Sequence, residues 1–381
     1  MDFSFKTRGE KGNVLPIVLL LLVLAGIGVY LSKGLFTSAS AQIPDKVLKN
    51  KFGFLSGGEP DNPFVGNAGA AWVRPHPGPF LWDDMQKDKV AALSFTNTDN
   101  IVKIQQKQNY GILATLWPFA EWDQKNHSSS GDCSVSAEDE FLSRNDNKGR
   151  GEYLPLHRCN PTDWLAYKEW VKKVVERYDG DGKDDMAGLK IPVKYWEVMN
   201  EPDLGWQQPD SRLVFYKEGP ESYAELLIQT ADAIRAVDPQ AKILIAAAAG
   251  ADERFLNFFR QVLAIPGVAE AFDIGNIHCI SNDQKTHDFN VAPYKKLLSE
   301  FRLSKPIWVT EAEAFGGSSA EENYSMTKSS TEGAIAAGAE KIFYTRFNFD
   351  DFRTDMSKIN TVSEKSIKDS EAKYRQITSS F

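Results

Sequence analysis

Lys242-Ile243-Leu244-Ile245-Ala246-Ala247-Ala248 is a strand-length run that is apolar at both alternating positions, and its reading decides the fold. Successive strand residues face opposite sides of a sheet, so a run apolar on both faces has to be buried on both. That is the condition of a strand in a parallel sheet covered by helices. Seven further runs of strand length flank it: Phe52 to Leu55, Ala70 to Arg74, Ile112 to Trp117, Val193 to Met199, Phe272 to Ile280, Pro306 to Thr310 and Lys341 to Thr345. Stretches with helical signals separate many of them. Asn160 is placed to cap and Pro161 to open a helix carrying Trp164, Tyr167, Val171, Val174 and Tyr178, which Gly180 ends. Pro220 opens another that stops at Asp238-Pro239, and Val291 to Phe301, Tyr324 to Ala339 and about Lys368 to Ile377 are also predicted helical.

Eight strands over roughly 300 residues suit a closed (β/α)8 TIM barrel, whose usual size is about 250 residues plus insertions. An open doubly wound sheet is the rival, but neither G-x-G-x-x-G nor G-x-x-x-x-G-K-[ST] occurs. The crossover at Pro60 to Gly69 is too short and too rich in Pro and Gly for a full helix. Pro118 to Asn160 reads as a loop insertion above the barrel mouth.

The 381 residues are 42% hydrophobic and 25% charged, the composition of a globular chain with a filled core. Residues 1 to 41 carry four bases and two acids, which leaves 40 bases against 50 acids in the remainder. So acidic a body repels phosphate backbones, and no nucleic-acid partner is expected. Val14 to Leu31 is uncharged and, at 18 residues, long enough for a membrane-spanning helix. Lys6, Arg8 and Lys11 precede it, which keeps the N-terminus cytoplasmic and sends the rest outward. Cleavage after Ala41 in Ala39-Ser40-Ala41-Gln42 is the alternative and yields a secreted product. The expected organisation is therefore residues 1–13 cytoplasmic, 14–31 anchor or signal core, 32–50 linker, and 51–381 barrel. An exported chain can keep disulfides, and Cys133 and Cys159 bracket a polar loop that a bridge would staple; unpaired thiols remain the alternative.

Barrel chemistry sits at the C-terminal ends of strands. Tyr195-Trp196-Glu197-Val198-Met199-Asn200-Glu201-Pro202 ends the fourth run and Ile307-Trp308-Val309-Thr310-Glu311 the seventh. An Asn-Glu-Pro tripeptide alone is also what a strand-end turn looks like. The pairing of the two, together with Trp72-Val73-Arg74-Pro75-His76-Pro77-Gly78-Pro79-Phe80, Ala114-Thr115-Leu116-Trp117-Pro118-Phe119 and Asn276-Ile277-His278, resembles the glycoside hydrolases of clan A, of the family 39 and family 5 types. The resemblance runs from about Phe52 to the C-terminus.

It implies a retaining β-glycosidase that needs no cofactor and takes a carbohydrate substrate, with Glu201 as acid/base and Glu311 as nucleophile. Arg74 would then lie beside Glu311, Asn200 on the sugar 2-hydroxyl, and His278 and His76 near nucleophile or substrate. Glu313 competes with Glu311, since residues two apart on a strand share a side. Trp117, Trp122 and Trp206 are candidate sugar-stacking walls and Asp123 a candidate hydroxyl contact. A Trp common near the end of strand eight is absent from Ile342-Phe343-Tyr344-Thr345-Arg346-Phe347. A carbohydrate-binding barrel without catalysis and a transglycosylase are the other functions compatible with these residues. The five His form no H-E-x-x-H pattern, and Asp179 to Lys190 lacks calcium-loop ligands at Lys183 and Lys190, so no metal is expected.

Overall fold

The computed structural model describes residues 1, 40–55, 63–76, 78–127, 133–135, 154–208, 211, 213–280, 286–351 and 356–381. The apolar segment 14–31 and most of the insertion lie outside these residues. Among the described residues no helix is long and apolar enough to cross a membrane.

The eight expected strands form one parallel sheet: β1 Phe52–Leu55, β2 Trp72–Arg74, β3 Gly111–Leu116, β4 Tyr195–Val198, β5 Lys242–Ile245, β6 Gly275–Cys279, β7 Ile307–Ala312 and β8 Ala339–Tyr344. Each pairs with its sequence neighbour except β5 with β6, and β1 pairs with β8. Parallel bridges Leu244–Ile274 and Ala248–Ile277 span β5 and β6, so the sheet curls into a barrel rather than staying open.

Helices cover the outside largely where the periodicity put them, with caps that correct some boundaries. The helix Trp164–Tyr178 is capped by Asp163, which accepts from the Ala166 amide, and not by Asn160. Asn160 instead donates to the Ser222 carbonyl, in the first turn of the next helix, and accepts from the Tyr216 hydroxyl. Pro220 does open Pro220–Val237. Ala320–Ala337 starts earlier than expected, on a Ser319 cap, and ends where Gly338 takes φ 111°. Thr96–Lys107 and Glu253–Leu263 are helices that the sequence reading did not single out.

The lower half of the barrel is filled by large rings beside small residues. Trp72, Trp308 and Phe343 are fully buried there, and a Cβ on Gly53 would lie 2.5 Å from the Phe343 ring. Below them the chain closes the barrel floor. The barrel unit begins at Ala41, so the last ten residues of the expected linker belong to it. Ala41 bonds Gly180, Val47 is fully buried and accepts from the Trp72 indole, and Lys341 donates to Leu48 and Asn50. At the other chain end, the Phe381 ring lies 6.2 Å from that of Phe52, the first residue of β1.

Candidate active site

At the opposite end of the strands, Arg74 sits fully buried at the tip of β2 and gathers three side chains. Its Nε and Nη2 reach Glu197 Oε2 at 2.8 Å, Nη1 donates to Glu311 at 2.7 Å, and Nη2 donates to Asn200 Oδ1 at 2.6 Å. A buried cation needs such partners, because leaving it unpaired costs several kcal/mol. Asn200 is thereby oriented with its amide nitrogen buried beside the Glu201 carboxyl, whose charged form it favours.

The pairing of β6 with β7 skips a residue: Ile277 faces Val309, and His278 faces Glu311. Thr310 is the extra residue of a bulge. In a regular strand Thr310 and Glu311 would face opposite sides, yet both reach the barrel interior, Thr310 against Asn276 and His278 and Glu311 against Arg74. After β4 the chain turns through two left-handed residues, Met199 at φ 71° and Glu201 at φ 40°. Non-glycine residues hold that conformation at a cost of about 1–3 kcal/mol and cluster at functional sites.

These devices bring Glu201 and Glu311 together with His278 between them. A ring nitrogen of His278 and one carboxylate oxygen from each Glu lie within 4.8 Å of one another. His278 Nδ1 is 2.6 Å from Glu201 Oε1 and 3.8 Å from Glu311 Oε1. Burial pushes the Glu201 carboxyl up to about 7, with Arg74 pulling the other way. Glu311 is also raised by burial, against the pull of His278 and Arg74. Burial lowers His278 to about 4. Two carboxyl groups are thus set in unlike surroundings, one on a histidine and one on an arginine, the arrangement that separates an acid from a nucleophile.

His76 lies 3.9 Å from Glu311, with its ring 5.8 Å from Trp117 and 6.4 Å from Phe215. Glu313 points elsewhere: Thr345 donates to it at 3.0 Å and Arg346 lies 3.2 Å away. Trp206 is half-buried against Phe258. Two expected sugar contacts have partners within the protein. The Trp122 indole donates to Gln86 and stacks edge-on at 5.1 Å from Trp82. Asp123 spends both oxygens on Thr162 and Asp163 at the head of helix Trp164–Tyr178. Cys133 and Cys159 are joined, with Cα atoms 5.4 Å apart.

Sequence reasoning missed Glu197, which is fully buried on β4 and accepts from Arg74, Thr115 at 2.5 Å and Asn276 at 2.6 Å. The signal was there: an acid inside an apolar run has to be paired.

No family model and no curated protein matches the chain. Solved structures do match in fold. A β-xylosidase from Caulobacter crescentus superposes with TM-score 0.58 at 16% identity, covering 89% of this chain and 69% of its own. A glucosidase from Croceicoccus marinus gives 0.57 at 16%, covering 89% and 68%. An endo-1,4-β-mannanase from Rhizomucor miehei gives 0.54 at 12%, covering 90% of this chain and 99% of its own. The chain has the barrel fold of these glycosidases.

Proposed function

We propose that the chain is a retaining β-glycosidase acting on β-linked oligo- or polysaccharides by double displacement. The observation that carries this is the close pair: one oxygen of Glu201 and one of Glu311 lie within 4.8 Å, in keeping with retention, for which the carboxyl groups stand about 5–5.5 Å apart. In the first step Glu311 attacks the anomeric carbon while Glu201 gives its proton to the departing oxygen. In the second, Glu201 takes a proton from water as that water displaces Glu311. Arg74 holds the Glu311 carboxylate in place, and Asn200 Nδ2, beside Glu201, is placed to donate to a sugar hydroxyl.

The test is intact-mass analysis of residues 41–381 after incubation with activated 2-fluoro β-glycosides, which trap the covalent intermediate. A glycosyl adduct on Glu311, together with loss of turnover in Glu311→Gln, supports the assignment. A folded protein that takes no adduct across glucosyl, xylosyl, mannosyl and galactosyl probes shifts the weight to a binding barrel.

A further inference from the structure

The hydrogen bonds around His278 can be read in only one direction. Glu197 Oε1 is 2.6 Å from Asn276 Nδ2, a contact that needs the amide nitrogen there, because the amide oxygen would meet a carboxylate. Asn276 Oδ1 therefore faces Thr310, whose single hydroxyl proton goes to it at 2.8 Å; its other oxygen neighbour, Glu197 at 3.4 Å, is also an acceptor. With its proton committed, Thr310 Oγ1 can only accept at 2.8 Å from His278 Nε2, so Nε2 carries a hydrogen. The remaining nitrogen, Nδ1, faces Glu201 Oε1 at 2.6 Å, and one proton has to lie between two acceptor atoms so close.

The geometry points to His278 as the positioning residue that stores the proton of Glu201: Thr310 fixes the imidazole as the Nε2–H tautomer, and its bare Nδ1 accepts from a protonated Glu201. The same proton on Nδ1 would make an imidazolium–carboxylate pair, and burial of both groups disfavours it. The charged and titratable neighbours are Arg74 and His76 from the β2 end, Glu197 and Asp203 from β4 and its loop, and Glu311 from β7. Arg74 and His76 oppose a positive His278, Glu197 and Glu311 favour one, and the Glu201 charge raises Asp203.

The inference rests on the reading of Glu201 as the acid. When the carboxyl turns and its proton passes to the departing oxygen, Glu201 becomes a carboxylate facing a bare nitrogen. Nothing then donates to it from His278, so it stays basic enough to take the proton of the attacking water.

Imidazole ¹⁵N spectra of the whole chain near pH 6, with the His278 signals assigned by their loss in His278→Gln, test the tautomer without any substrate. A neutral ring protonated on Nε2 is expected; an imidazolium or an Nδ1–H ring overturns the inference. That outcome does not depend on turnover, so it is separable from failure of the glycosidase reading. With a cleavable glycoside of poor leaving group, Thr310→Val removes the acceptor for Nε2–H and lets the ring carry its proton on Nδ1, which donates to ionised Glu201. The alkaline limb of kcat/KM is then expected to fall by about one pH unit, while Thr310→Ser keeps it. An unmoved limb in Thr310→Val, or an equal shift in Thr310→Ser, overturns it.

Discussion

A carboxyl group whose proton is held by a buried histidine ties stability to pH. Glu201 is raised in the folded protein to about 7 from an ordinary 4.5, so the native state binds the extra proton between those values. Its contribution to stability is complete below pH 4.5 and is lost as pH rises through 7. His278, lowered to about 4 from 6.5, acts in the other sense: stability gains as pH rises from 4 to 6.5. Glu201→Gln mimics the protonated acid, since its amide can donate to Nδ1. The variant should match the wild type near pH 5, exceed it by about 3 kcal/mol at pH 8, and be inactive on glycosides with poor leaving groups. Denaturant titrations at the two pH values check this, and an equal gain at both would count against the raised carboxyl.

At the scale of elements, the bridge Cys133–Cys159 closes a loop with a sequence separation of 26, for which chain entropy suggests about 3–4 kcal/mol. Reduction should lower the melting temperature and open the insertion to proteolysis before the barrel is cut. Protein alkylated during extraction should show one free thiol, Cys279; three would remove the bridge.

The strands were legible because their apolar runs are buried on both faces, as Ile243, Leu244 and Ile245 are. Helix Thr96–Lys107 was not, because two of the three residues it buries, Thr98 and Gln105, are polar. Glu253–Leu263 does carry a readable face in Phe255, Phe259 and Val262, and its omission was a failure to use a signal that was present. Within the candidate site, Glu201, Glu311, Arg74, Asn200 and His278 were named from strand ends together with the family resemblance, and the structure places them side by side. The Thr310 bulge does not, because alternation puts consecutive residues on opposite faces and nothing local in Val309-Thr310-Glu311 announces the extra residue. Asp123 misled for a related reason: a polar loop acid looks the same whether it meets a substrate or a helix head.

For the whole molecule, the floor formed by residues 41–50 is part of the barrel and the chain before it is a separate unit. Val47 seals the lower core, and Lys341 reaches the backbone of Leu48 and Asn50 from within. Deleting residues 1–40 should leave the melting temperature of the barrel unchanged. Deleting through Asn50 should expose the Trp72 and Trp308 layer and destabilise it by several kcal/mol, in the range of large core truncations; calorimetry of the two truncated chains checks both outcomes, and equal stability would deny the floor its role.

Ala41 and Phe381 both lie at that closed face, the one bonded to Gly180 and the other tilted against the Phe52 ring, while the paired carboxyl groups lie at the far end of the strands. For anyone building with this protein, Ala41 and Phe381 are handles on the side away from the paired carboxyl groups. A bead or a fused module fixed there leaves the paired carboxyl groups, at the other end of the strands, uncovered.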